Sequence, residues 1–279
     1  LEMKQFLVEK DIDIALIAET HFTDKSLLKF PKYKVYVTNH PDGRAHGGTA
    51  IIIKSSITHN EQLQYSTPYL QSTTVQIYDK NGPVSISSIY CPPRHIINSD
   101  QYDKYIKTLN NRFIAAGDLN AKHIDWGSRL TNKKGRILIN AIHKNNFRII
   151  STGEPTYWPT DVKKIPDLID FCITKNISHN QLTIQSCYEL SSDHSPILLE
   201  YVSHIKSIDT SFRILNDRTN WEKFRHHIDD QLIPNVILKT QLDIEHAIIH
   251  FNDVVLEAGI RSAPKQANRT NTPTTDITI

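Results

Sequence analysis

Apolar and polar positions alternate with two periods along this chain, and the switches between them mark its elements. LEMKQFLVEK places apolar residues at helical spacing, and IDIALIAE (12–19) follows as a nearly continuous apolar run closed by an acid, the pattern of a fully buried strand. YKVYVTN (33–39) and GGTAIIIK (47–54) read as two strands joined by the polar turn HPDGRAH. STTVQIYD (72–79) alternates, KNG is a hairpin turn, and PVSISSIYCPP (83–93) pairs back on it. DQYDKYIKTLNN predicts a helix, RFIAAGD a buried strand and KGRILINAIHKNNF (134–147) a second, strongly amphipathic helix. FRIIST, LIDFCIT, QLTIQSCYEL and PILLEYV add four strands, the last ending near 202. Many strands with few helices predict an α+β fold: two β-sheets packed face to face as a two-layer sandwich, flanked by helices.

The pattern changes after about residue 205. NWEKFRHHIDDQL and DIEHAIIHFNDVVLEAGIRSA carry helical stripes, and PKQANRTNTPTTDITI is polar and Thr-rich. The expected organisation is therefore a sandwich domain over 1–204, a helical extension or linker over 205–263, and a disordered tail over 264–279.

Composition changes this picture little. The chain has 279 residues, of which 39% are hydrophobic and 22% charged, enough for a substantial core and against wholesale disorder. A formal charge of +2 neither demands nor excludes a polyanionic partner, because a local basic face matters more than the total. Cys91, Cys172 and Cys187 lie in or beside apolar runs without metal spacing, which points to buried, reduced thiols and an intracellular setting. No apolar run reaches the roughly 18 residues of a membrane span.

The candidate chemistry sits where strands end. Glu19 closes IALIAE, Asp118 and Asn120 close FIAAGDLN, Asp170 lies inside LIDFCIT, and Asp193 and His194 stand before the last strand in SSDHSPILL. A lone acid at a strand end is as a rule a cap or turn residue. Asp170 differs, since an acid between Ile169 and Phe171 costs several kcal/mol to bury unless it is paired, and His194 is the natural partner. Carboxylates bind hard divalent cations, a second carboxylate can deprotonate water, and a His–Asp pair can donate to a developing phosphorane. That inventory suits metal-dependent phosphodiester hydrolysis.

AETHF, SIYCPP, GDLNAKH, LIDFCIT and SSDHSPIL, in this order over roughly residues 1–202, resemble the endonuclease/exonuclease/phosphatase superfamily. RAHGGTAIIIK, GDLNAKHIDWGS and EPTYWP followed by PDLIDFCIT narrow the resemblance to the endonuclease domain of non-LTR retrotransposons of the Jockey-like type. The resemblance implies that Glu19 and Asp193 serve a Mg²⁺ ion, with Mn²⁺ as a substitute. It implies that Asp118 activates water, Asn120 positions water or phosphate, and Tyr90 contacts the scissile phosphate. His194, oriented by Asp170, would stabilise the pentacovalent phosphorus. Thr156 and Ser192 would make supporting phosphate contacts, and His123 and Lys122 would line the substrate groove. It further implies a double-stranded DNA target in the nucleus, and a nick leaving a 3′-hydroxyl that primes reverse transcription of the element's RNA. The reverse transcriptase would belong to the same polyprotein. The family pattern also includes an N-terminal strand with an asparagine ligand, which would precede Leu1.

Bland readings stand beside these. His21 and His46 read as surface loop residues, Trp126 and Trp158 as loop packing, and Arg44, Arg129, Lys133, Lys134 and Arg136 as solvated surface or as phosphate contacts. Two other functions fit the same motifs: an abasic-site repair endonuclease or other phosphodiesterase of the superfamily, and a decayed remnant that binds DNA or protein without cleaving.

Overall fold

Apolar runs become strands, and strand alternation decides which layer each side chain fills. The computed structural model of the chain describes residues 2–205, 219–232, 236, 238–263 and 277–279. In chain order the first unit contains α1 (Glu2–Glu9), β1 (Ile14–Ala18), β2 (Tyr33–Thr38), β3 (Thr49–Lys54), β4 (His59–Glu61), β5 (Tyr65–Thr67), β6 (Leu70–Asp79) and β7 (Gly82–Tyr90). There follow α2 (Ser99–Ile106), β8 (Phe113–Asp118), α3 (Lys133–Asn145), β9 (Arg148–Ile150), β10 (Asp170–Lys175), β11 (Leu182–Ser186) and β12 (Ile197–Tyr201). The second unit contains α4 (Trp221–Gln231) and α5 (Gln241–Ser262), and β13 (Ile277–Thr278) closes the described chain. The division falls between Leu1–Ile208 with Thr272–Ile279 and Asp209–Asn271.

One layer is a seven-stranded sheet in the order β4-β6-β7-β8-β10-β9, with β5 also on β6. The facing layer holds two three-stranded sheets, β1-β3-β2 and β11-β12-β13. Only β7 and β8 among the described pairs run parallel, and α2 lies in the crossover between them, as a parallel connection requires.

Three cores hold these layers. Ile51 and Ile53 of β3 pack with Val75, Ile77, Ile86 and Ile114 between the sheets, while Ile52 points the other way, to Phe6 and Leu7 of α1. Both faces of β3 are therefore covered, which is why TAIIIK is apolar without a break; each buried isoleucine contributes about 1.5–3 kcal/mol. The outer face of the large sheet, through Phe113, Ala115, Phe171 and Ile173, meets Tyr102 and Tyr105 of α2 and Leu138, Ala141 and Ile142 of α3. The two-layer sandwich flanked by helices is thus realised. All three cysteines are free and buried. No helix among the described residues is long and apolar enough to cross a membrane.

Two features depart from the pattern reading. The polar stretch 59–67 supplies two short edge strands, β4 and β5, because edge strands need no apolar alternation. The expected disordered tail falls largely outside the described residues, at 264–276. Its end is ordered: Ile277 and Ile279 are buried and β13 pairs with β12, with the Asp13 N–H donating to the Thr278 carbonyl. The isoleucines of DITI alternate, a strand signal hidden by the threonines around them.

Candidate functional site

The pairing register assembles the site. Asp118, last residue of β8, stands opposite Tyr90 of parallel β7 and opposite Asp170 of antiparallel β10. Three residues far apart in sequence thus form one row across three strands. Gly117 precedes Asp118 because β7 comes too close for a side chain: a Cβ there would lie 2.1 Å from the Ile89 carbonyl oxygen. Beyond Asp118 the chain turns at Asn120, which adopts a left-handed φ of 47°. Its backbone N–H and side-chain amide donate to the two Asp118 oxygens at 2.7 and 2.6 Å. Asn132, the N-cap of α3, fixes this turn by donating to the Asn120 carbonyl and accepting from the Lys122 and Gly135 N–H groups.

His194 Nδ1 lies 2.9 Å from Asp170 Oδ2, and its ring packs on Tyr157 with centroids 5.0 Å apart. The same Asp170 oxygen accepts from Thr156 Oγ1 at 2.7 Å, while that hydroxyl accepts from the Ile169 and Asp170 N–H groups. Ser192 Oγ accepts from the His194 N–H. On the neighbouring sheet, Glu19 leaves β1 with a left-handed φ of 51° and accepts a hydrogen bond from the Tyr90 hydroxyl. Glu19, Asp118, Asp170, Ser192, Asp193 and His194 all line one cavity of about 400 Å³.

The electrostatics follow from this crowding. Burial raises the Asp118 carboxyl well above its ordinary range, the Asp170 and Glu19 charges push it further up, and His194 and the Asn120 N–H only partly oppose them. Burial would lower His194, but the hydrogen bond and charge of Asp170, with Asp118 and Asp193, raise it to about 9. The Tyr90 hydroxyl is raised by burial and by Glu19. Four carboxylates meet one imidazole here, an excess of negative charge that invites a cation.

The structure brings Glu19, Tyr90, Asp118, Asn120, Asp170, Asp193 and His194 together. The remaining expected contacts sit differently. Thr156 is 1% exposed, with its hydroxyl engaged by Asp170, so it holds that carboxylate rather than facing a substrate. Lys122 Nζ pairs with the buried Asp167 at 2.9 Å. His123 accepts from the Asp125 N–H as an N-cap and packs on Trp126. Lys134 is buried and donates to the Cys91 and Pro92 carbonyls, which removes it from the surface cations. Sequence reasoning missed Tyr157, whose position between Thr156 and Trp158 gave no sign that its ring would face His194.

Residues 84–198 match the family described as Endonuclease-reverse transcriptase. The chain is 32% identical over 265 residues to the RNA-directed DNA polymerase from mobile element jockey of Drosophila funebris, covering 94% of this chain and 29% of that protein. It is 32% identical over 269 residues to the probable RNA-directed DNA polymerase from transposon X-element of Drosophila melanogaster, covering 96% and 29%. The chain therefore spans less than a third of the length of these curated relatives. Among solved structures it is similar to the endonuclease domain of TRAS1, a telomere-specific non-LTR retrotransposon. That likeness has a TM-score of 0.59 at 20% identity and covers 71% of this chain and 90% of that one.

The chain has the endonuclease/exonuclease/phosphatase fold. The Xenopus laevis APE2 catalytic domain shares it, with a TM-score of 0.55 at 16% identity over 75% of this chain and 88% of that one. The resemblance expected from the motifs, to non-LTR retrotransposon endonuclease domains within this superfamily, is borne out.

Proposed function

We propose that this endonuclease/exonuclease/phosphatase-fold chain is the DNA-nicking domain of a non-LTR retrotransposon polyprotein that also carries a reverse transcriptase. The observation that carries the reading is the row Tyr90–Asp118–Asp170, closed by His194 over one cavity and carrying more carboxylates than cations. The family match and the nuclease fold support a hydrolytic enzyme.

Asp118 takes the proton of the attacking water. Its raised basicity suits that task, because burial and the neighbouring carboxylates make it a stronger proton acceptor than an ordinary aspartate. Asn120 holds the Asp118 oxygens in place and presents its amide at the same strand end. His194, raised to about 9, is an imidazolium at neutral pH, so Nδ1–H donates to Asp170 and the other ring N–H donates to the phosphorane oxygens. Tyr90, beside Asp118 in the row and donating its hydroxyl to Glu19, serves as the phosphate contact. The exposed carboxylates of Glu19 and Asp193 fit a Mg²⁺ or Mn²⁺ ion, being hard oxygen donors in a carboxylate-rich cavity. Such an ion supplies charge stabilisation to phosphoryl and leaving oxygens. The substrate is double-stranded DNA in the nucleus, and the product 3′-hydroxyl primes reverse transcription.

The test is nicking of supercoiled plasmid with Mg²⁺, run beside an abasic-site oligonucleotide. The proposal expects open-circular product with 3′-hydroxyl ends and no preference for the abasic duplex. Strong abasic preference would place the chain among repair enzymes, and no cleavage of either substrate would make it a binding remnant.

A further inference from the structure

The loop between β2 and β3 gathers two imidazoles and a carboxylate that the nicking chemistry does not use. His40, Asp42 and His46 each offer a ligand atom, all within 4.8 Å of one another. His40 Nδ1 lies 2.8 Å from Asp42 Oδ1, and His46 Nε2 lies 2.8 Å from Asp42 Oδ2. The two rings face each other with centroids 3.9 Å apart. His40 is 9% exposed and so fixed by its surroundings, while the Asp42 and His46 side chains are about half exposed.

We infer that His40, Asp42 and His46 bind a transition-metal dication of the zinc class, which braces this loop against the candidate active site. Two imidazoles with one carboxylate suit zinc, cobalt or nickel and do not suit magnesium, which takes oxygen ligands almost alone. Bonds of about 2.0–2.1 Å to a tetrahedral ion place ligand atoms roughly 3.3 Å apart. His40 and His46 meet different Asp42 oxygens, and the three ligand atoms lie within 4.8 Å of one another, so closing them on one ion takes shifts of about 1.5 Å or less, which two half-exposed side chains accommodate. The fourth position opens to solvent.

The brace matters because of what the loop touches. It ends at Gly47, whose left-handed φ of 57° and bare Cα let it pass Tyr90: a Cβ there would lie 2.8 Å from Gln71 Oε1 and 3.3 Å from the Tyr90 ring. The Gly47 and Gly48 carbonyls accept from the His21 and Thr20 N–H groups, the two residues that follow Glu19. An ion on His40, Asp42 and His46 thus stiffens the backbone that places Glu19 and Tyr90. The rival account is a hydrogen-bonded His–Asp–His cluster that needs no ion.

The experiment titrates Zn²⁺ by calorimetry into the chelator-stripped full chain in millimolar Mg²⁺, which occupies hard carboxylate sites. Co²⁺ absorption then serves as a second probe of coordination. We expect one Zn²⁺ per chain, a rise in melting temperature on loading, and a cobalt spectrum of tetrahedral type. His46→Asn should weaken uptake at least about tenfold and remove the thermal shift, since stabilisation follows ligand binding. Glu19→Gln should leave uptake unchanged, so the outcome is separate from that of the nicking proposal. No zinc uptake, or uptake lost in Glu19→Gln and kept in His46→Asn, overturns the inference; the well-exposed His46 keeps the test free of folding defects.

Discussion

Strand β8 enters its sheet beside one buried carboxylate and ends on another, and the two are treated in opposite ways. At the entry, Arg112 makes two 2.8 Å hydrogen bonds to Asp79, one to each oxygen. Tyr201, Ser203 and the Asn81 N–H donate to the same carboxylate. Burial would raise Asp79, but these donors hold it well below the usual carboxylate range. At the exit, among the described residues, the Asp118 side chain has donors only from Asn120 in its own turn, and faces Asp170 and Glu19 without an arginine. One end of the strand is charge-balanced and closed. The other is left in deficit over an open cavity, which is the arrangement expected where stability has been given up for reactivity.

Breaking the active end should cost activity before stability. His194→Ala is expected to lower nicking about 100- to 1,000-fold, the usual span for a lost donor to a developing oxyanion, and to lower the melting temperature only where the imidazole is charged, below about pH 9; plasmid nicking and calorimetry across pH check both. Asp79→Ala at the closed end leaves the half-buried Arg112 guanidinium without its ionic partner. It should cost about 3–5 kcal/mol of stability in urea unfolding, with nicking by the remaining folded fraction unchanged. Thr156→Val removes the hydrogen bond to the Asp170 carboxylate and leaves the Ile169 and Asp170 N–H groups without that acceptor, and should cost about 1–3 kcal/mol. It should also shift the alkaline limit of nicking, because His194 loses part of its orientation.

The two ends should also answer pH with opposite signs. His194 is raised to about 9 in the folded chain from an ordinary 6.5, so its stabilisation is complete below about 6.5 and disappears as pH climbs through 9. Nicking should fall over the same alkaline window. Asp79 is depressed, so its contribution is present above the ordinary carboxylate range and is lost as pH falls through its lowered value. Stability measured from acid to alkali should rise first, through Asp79, and decline last, through His194. A shallower acid limb in Asp79→Ala and a shallower alkaline limb in His194→Ala, each against wild type, would assign the two limbs.

Much of this was legible in the residues and some was not, for physical reasons. The strand runs and α1, α2 and α3 follow from periodicity, since burial on one or both faces dictates the pattern. Asp170 could be singled out because an acid within an apolar strand is costly to bury without a partner, whereas Glu19 and Asp118, at strand ends, stood out through the motifs AETHF and GDLNAKH around them. Thr156 could not be read correctly, because its chemistry depends on which way the hydroxyl points, and that is set by the pairing of Tyr157 with Asp167 and His194. Lys134 looked like any helix-surface cation until the packing of α3 buried it. The Asp79–Arg112 pair spans 33 residues and joins two strands, so local pattern holds no trace of it. The ordered end at 277–279 was masked by composition, and the His40–Asp42–His46 cluster appears only when the loop closes.

Asp118→Asn tests the central claim most directly, because it touches chemistry and stability at one atom. Burial and the Asp170 and Glu19 charges disfavour the Asp118 carboxylate, so a neutral isostere should leave stability no lower than wild type and raise it by up to about 0.5–2 kcal/mol in chelator. In the same preparation, plasmid nicking with Mg²⁺ should fall at least about 100-fold. A variant that melts lower than wild type yet nicks as well would contradict the account.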